Sequence, residues 1–225
     1  GLRYVLKRNE IPGCYALQLL DGFAMDASNH HYATLADTLQ YCYYVAGVVG
    51  IMMAYVMGAR DAEALQRATD LGIAFQLTNI ARDVQEDAAV DRVYLPADWL
   101  AEAGIPVGEI RQPQYAQPLA AVTERLLNEA DRYYASAPEG LRALGFRSAW
   151  AVAAAQGVYR AIGEMVRERG PMAWEERVVV RKRRKLLGLV EGIVDAARAS
   201  LIDRHVQPVP RDRNLWTAPQ LRQNP

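Results

Sequence analysis

Residues 61–87 read as one unbroken helix of about 27 residues, long for a globular protein and typical of a large helical bundle. Asp61 can cap its start. Strand signals are scarce elsewhere and the periodicity is helical nearly throughout, so the expected fold class is all-α. A helix starting at Asp37 or Thr38 runs to about Met57, with Gly58 stopping it. A short helix over 97–103 ends at Gly104, and a loop over 106–118 carries three prolines. Further helices cover 119–135, 147–169 and 181–204. From Val206 onward, Pro208, Pro210, Pro219 and Pro225 predict an extended, disordered tail. The expected organisation is therefore a helical domain over 1–205 and a Pro-rich tail over 206–225.

The long helix carries an unusual stripe. At 100° per residue, Asn79, Asp83 and Asp87 fall at about 0°, 40° and 80° around the axis, with Gln76 near 60°. Four oxygen-bearing side chains thus share one strip, with successive members of the 79, 83, 87 series about 6 Å apart along the helix. Ala74, Leu77, Ile80, Ala81 and Val84 lie on either side, so the segment belongs inside a bundle. Repeated acids repel one another in an apolar setting. A hard divalent cation relieves that cost, since magnesium prefers carboxylate and amide oxygens and takes phosphates as further ligands. Arg82 and Arg92 flank the stripe and suit the remaining phosphate charge. Spacing alone leaves a second reading open, a solvated acidic face paired with those two arginines.

Composition narrows the function classes. Lys+Arg and Asp+Glu both number 26, giving a net charge of +0, so nothing global favours nucleic acid or an acidic membrane. The two cysteines, Cys14 and Cys42, make no disulfide framework and are expected as buried free thiols. No Cys/His cluster has zinc spacing, and no glycine-rich dinucleotide fingerprint is present, so no nicotinamide cofactor is expected. Residues 41–59 carry no charge and approach the length of a membrane span. Gly47, Gly50 and Gly58 inside them, and the acidic helix that follows, favour a helix buried within the protein. Arg181-Lys182-Arg183-Arg184-Lys185 reads as a solvated helix start, with attraction to an anionic membrane surface as the alternative.

Gln76-x-x-Asn79-x-x-Arg82-Asp83-x-x-x-Asp87, followed by Arg92-Val93-Tyr94-Leu95-Pro96, resembles the second aspartate-rich motif of the squalene/phytoene synthase family. The run from Tyr41 to Gly50, Tyr-Cys-Tyr-Tyr-Val-Ala-Gly-Val-Val-Gly, is similar to that family's other signature. Ala154-Ala155-Gln156-Gly157-Val158-Tyr159-Arg160 occupies the place of its late tyrosine-bearing helix, and Gly22-Phe23-Ala24-Met25-Asp26 resembles a segment of bacterial phytoene synthases. The resemblance implies an isoprenoid synthase bundle with a central cavity. It implies Asn79 and Asp83 as magnesium ligands, with Asp87 ligating or supporting a further metal and manganese as the alternative ion. Gln76, Arg82 and Tyr159 would contact a prenyl diphosphate, with Arg92 and Tyr94 completing the substrate-binding set. Tyr41 and Tyr159 would act in catalysis beside Asp83 and Asp87, Tyr41 lining the reaction chamber. Val45, Ala46 and Gly50 would wall the isoprenoid tunnel, where small side chains leave room.

The implied activity is head-to-head condensation of two geranylgeranyl diphosphates to phytoene by a prenyltransferase of the cytoplasm, in peripheral contact with a membrane and without nucleic-acid partners. A sister enzyme using farnesyl diphosphate is the nearest alternative, and a non-catalytic helical family member another. Ile80 argues against a chain-elongating prenyltransferase, where an aspartate is expected, and Asp83 against a cyclising terpene synthase. The family's first acidic motif finds no counterpart before Tyr41, because Asp21 and Asp26 diverge by about 140° on a helix. The chain begins Gly1-Leu2-Arg3-Tyr4 and its start reads as an interior cut. The first motif, and part of the pocket that sets chain length, are accordingly expected upstream of it, leaving this chain alone unable to complete its metal cluster.

Overall fold

The computed structural model describes residues 1–28, 30–175, 182–201 and 206–218, and among them every regular element is helical. The α-helices are α1 Leu2–Arg8, α2 Gly13–Ala27, α3 Leu35–Cys42, α4 Val48–Val56, α5 Ala62–Ala88, α6 Ala97–Glu102, α7 Ala116–Ser136, α8 Phe146–Arg169 and α9 Lys182–Leu201. The expected all-α class holds, with two helices ahead of residue 37 that the periodicity did not announce.

α5 is the axis of the bundle. Asp61 caps it by accepting from the backbone N–H of Ala64 at 2.9 Å, as its position predicts. Leu71, Ile73, Ala74, Leu77, Ile80, Ala81 and Val84 bury its apolar faces against α4, α7 and α8. α3 starts earlier than expected, because Thr34 and Asp37 form a reciprocal capping box, with the Thr34 N–H donating to Asp37 at 2.8 Å. α3 and α4 form one continuous rod joined by a π-helical turn, Tyr43–Gly47. Gly58 ends the rod in the left-handed region at φ +94, where a Cβ would be strained.

The rod Leu35–Val56 is long and apolar enough to cross a membrane by length and composition. Its residues Tyr41, Cys42, Tyr43, Val48 and Ile51 are nevertheless buried, so much of this apolar surface belongs to the protein's own core. Cys42 is a buried free thiol as expected, whereas Cys14 is exposed on the first turn of α2. The residues beyond α9 also depart from expectation. Residues 206–218 form no helix but are docked, with Leu215 and Ala218 buried and Arg211 bonded to Asp70 of α5. An ion pair and apolar anchors fix the stretch in place. The remainder of the Pro-rich tail, and the side chains of the basic run at 181–185, lie outside the described residues.

Candidate active site

The stripe on α5 is half-buried, and its first two members face a hollow. Gln76, Asn79, Asp83 and Asp87 are all partly covered, and Gln76 and Asn79 line a cavity. The Asn79 amide donates to Gln76 Oε1 at 3.4 Å, while its Oδ1 is buried without a hydrogen-bond partner. An acceptor in that condition is costly unless a cation or a donor meets it. Asp87 is under related stress. Burial, then the neighbouring Asp83, push its carboxyl up to about 6, while Arg92 pulls the other way. One amide oxygen and two carboxylates along the strip are donors of the hard-oxygen kind that magnesium takes, and a bound cation would relieve both the orphaned oxygen and the crowded acids.

Arg82 is not held ready for phosphate alone. Its Nε donates to Asp83 Oδ1 at 2.6 Å and a terminal nitrogen donates to Oδ2, a fork on a carboxylate whose side chain is 21% exposed. Neighbouring residues on a helix point about 100° apart. The length of the arginine lets it fold back across that angle, which sequence spacing does not reveal.

The cavity has a volume of about 470 Å³ and runs between α4, α5 and α8. Val45, Ala46 and Gly50 line it, as the resemblance implies. The reason for Gly50 differs from the expected one. A Cβ there would lie 2.3 Å from the carbonyl oxygen of Ala68, and one on Gly72 would lie 2.3 Å from that of Ala46. These glycines let the backbone of α5 touch that of α4 and of the π-helical turn before it. Tyr159 enters from α8 and stacks on Phe75 with ring centroids 4.1 Å apart, at the Asn79 end of the cavity.

Tyr41 does not line this cavity. It is 4% exposed, stacked on Tyr94 at 4.7 Å and edge-on to Tyr32 at 5.4 Å. Tyr94 donates to Asp26 Oδ1 at 2.8 Å, and Thr38 donates to the Tyr94 carbonyl at 2.8 Å, pinning the loop after α5 to α3. Asp26 stands close enough to Asp87 to help raise its pKa. Asp26 shares no helical face with Asp21; its neighbours come instead from α5 and from the loop after it. Arg92 is exposed and lines a smaller cavity of about 160 Å³ with Asp26, His30 and His31. The structure thus brings Gln76, Asn79 and Tyr159 to one cavity mouth, with Arg82 and the two aspartates further along the same helix. It places Tyr41, Tyr94 and Arg92 in an adjoining aromatic corner.

A family model described as Squalene/phytoene synthase matches residues 1–184. A 15-cis-phytoene synthase of Enterobacter agglomerans is 50% identical over 215 residues, covering 96% of this chain and 72% of that protein. A phytoene synthase of Pseudescherichia vulneris is 48% identical over 204 residues, covering 91% of this chain and 65% of its own length. Among solved structures, a dehydrosqualene synthase in complex with ligand is similar with a TM-score of 0.74 and 31% identity, over 80% of this chain and 64% of that one. The chain therefore spans roughly two thirds of the proteins it resembles, and within that span the helical bundle is of the isoprenoid synthase type. It belongs to the squalene/phytoene synthase family.

Proposed function

We propose that this chain takes part in the head-to-head condensation of two geranylgeranyl diphosphates to phytoene, through prephytoene diphosphate. The observation that carries this reading is the union of a long apolar cavity with an oxygen-rich strip at one end. Asn79, Asp83 and Asp87 would hold magnesium, whose chemistry when bound is Lewis-acid neutralisation of a departing diphosphate. Gln76 and Arg82 orient the anionic head, and the Arg82 fork keeps the Asp83 carboxylate aimed. Val45, Ala46 and Leu71 keep water from the hydrocarbon chain. The stacked faces of Tyr159 and Phe75 present π-electron density where positive charge develops on the allylic carbon. Breaking the allylic carbon–oxygen bond releases the first diphosphate, and attack by the second substrate's double bond with loss of a proton closes the cyclopropane; a second ionisation releases the other diphosphate, and rearrangement with loss of a second proton gives phytoene. Peripheral attachment to a membrane, where a C40 hydrocarbon must go, forms part of the proposal.

The likeness to a dehydrosqualene synthase favours one competing reading, condensation of farnesyl diphosphate by the same chemistry. Incubation of a version extended to the full length of its relatives with each diphosphate and magnesium, followed by product identification, separates the two. Phytoene from the C20 substrate supports the proposal; a C30 product alone overturns it.

A further inference from the structure

The cavity's far end is built like a fixed stop. Along α5 it runs from Asn79 back to Ala64, about 22 Å at 1.5 Å per residue. At that end Ala59, Ala64, Leu141 and Leu144 are each under a tenth exposed. Leu141 belongs to a 3-10 turn, Ala137–Ala143, laid across α5. Arg67 ties α5 to Ser136, the residue just before the turn, and the turn packs on its stem through Gly140. The Arg67 guanidinium, with a side chain 2% exposed, donates to Ser136 Oγ at 2.9 Å, to Glu63 at 3.0 Å and to the Val209 carbonyl at 2.5 Å. Its stem needs Gly140, where a Cβ would lie 2.7 Å from the Arg67 Cβ. Elsewhere the lining is less enclosed: Val49 and Met53 along the side are exposed.

We infer that Ala64 and Leu141 are specificity-determining residues: they form the wall against which the tail of the prenyl chain is measured, and Arg67 is the positioning residue that keeps this wall from yielding. This rests on the reading that the diphosphate sits at the Asn79–Asp87 strip. A head fixed by that strip and a stop fixed by Arg67 define one chain length. A chain shorter than the gap leaves apolar surface unfilled, and a longer one must displace packed side chains. Discrimination by a hydrophobic pocket of this kind is about 10- to 200-fold per methylene.

Two variants shift the wall in opposite directions. Ala64→Phe fills the end of the cavity, and Leu141→Ala extends it. Binding of farnesyl, geranylgeranyl and geranylfarnesyl thiolodiphosphates, which do not ionise, is measured with magnesium alongside the corresponding diphosphate-free alcohols. Ala64→Phe is expected to shift the C15-to-C20 preference at least about tenfold toward C15, and Leu141→Ala to improve C25 relative to C20. Equal weakening of all lengths by both folded variants overturns the inference. Where Ala64→Phe shows no cooperative thermal transition, Leu141→Ala decides alone, and no relative gain for C25 sinks the wall. Failure of the diphosphate reading has a different signature: alcohols bind as well as thiolodiphosphates, and Asp83→Asn affects neither. In that case the length ratios of the alcohols still decide the inference.

Discussion

Arg211 grips the carboxylate of Asp70 across 141 positions of sequence, with its Nε 2.8 Å from Oδ2 and a terminal nitrogen 2.7 Å from Oδ1. Asp70 has no exposed surface, and Ser136 also donates to it. The same guanidinium reaches Thr217 Oγ1 at 2.9 Å and the Trp216 carbonyl at 2.9 Å, so one side chain closes the C-terminal stretch onto the central helix. Removing one partner of a buried pair strands the other charge, which costs more than the pair itself contributes.

Arg211→Ala is therefore expected to lower stability by about 3–5 kcal/mol. Asp70→Leu combined with Arg211→Met is expected to recover much of that loss, because neither charge is then left buried. Urea unfolding of the two single variants and the double variant checks this. A loss under about 1 kcal/mol for Arg211→Ala, the level of an exposed pair, contradicts the docked arrangement.

The contact between α4 and α5 makes a second prediction. Gly50→Ala and Gly72→Ala each drive a methyl group into a backbone carbonyl at 2.3 Å, which no rotamer change can avoid. Each is expected to cost about 1–3 kcal/mol or more, as overpacking does. Gly108→Ala, with nothing within 4 Å, is the control and is expected to be near neutral. Thermal unfolding of the three variants provides the comparison, and tolerance of Gly72→Ala equal to that of Gly108→Ala would refute the close approach.

How much of this was legible in the sequence depends on whether the determining contacts are local. α5 was readable from its Asp61 cap to its last aspartate because cap, periodicity and stripe all lie within one helix. Its depth in the bundle followed from Leu77, Ile80 and Val84 beside the oxygens. The docked 206–218 stretch was not readable, since Arg211, Asp70 and Ser136 meet only in three dimensions. Nor was the place of Tyr41. The family resemblance implies a chamber wall, but Tyr94 and Asp26 arrive from other segments and place Tyr41 in a packed corner. The Arg82 fork on Asp83 was hidden for the opposite reason: neighbours in sequence are assumed to point apart, and a long side chain can cancel that angle.

That aromatic corner yields a third prediction. Tyr94→Phe keeps the ring that stacks on Tyr41 but deletes the hydroxyl held by Asp26. The expected loss is about 1.5–3 kcal/mol, the range for a hydrogen bond to a charged group. Asp26→Asn retains an acceptor at the same position and is expected to lose less than Asp26→Ala. Equilibrium unfolding in urea is the measurement, and equal losses for Asn and Ala would mean that the Tyr94 hydroxyl gains nothing from Asp26.

The raised pKa of Asp87 gives a pH dependence whose sign can be worked out. Its carboxyl is held at about 6 in the folded chain, against an ordinary value of 3.8. Between those values the folded protein carries a proton that the unfolded chain has released. Stability from this group is therefore gained as pH falls from about 6 toward 4 and is lost as pH rises through that window. Asp87→Asn removes the effect, so its stability relative to the parent is expected to increase with pH up to about 6 and to level off above it. Magnesium competes with the same proton for the same oxygens, so cation-dependent binding of inorganic diphosphate is expected to weaken as pH drops below about 6. Unfolding free energies of parent and variant from pH 4 to 8, with diphosphate titrations at each end, test both halves. A difference between parent and Asp87→Asn that stays constant with pH would show that the carboxyl at position 87 is neither buried nor crowded by Asp83, and the cation site would lose its strongest electrostatic argument.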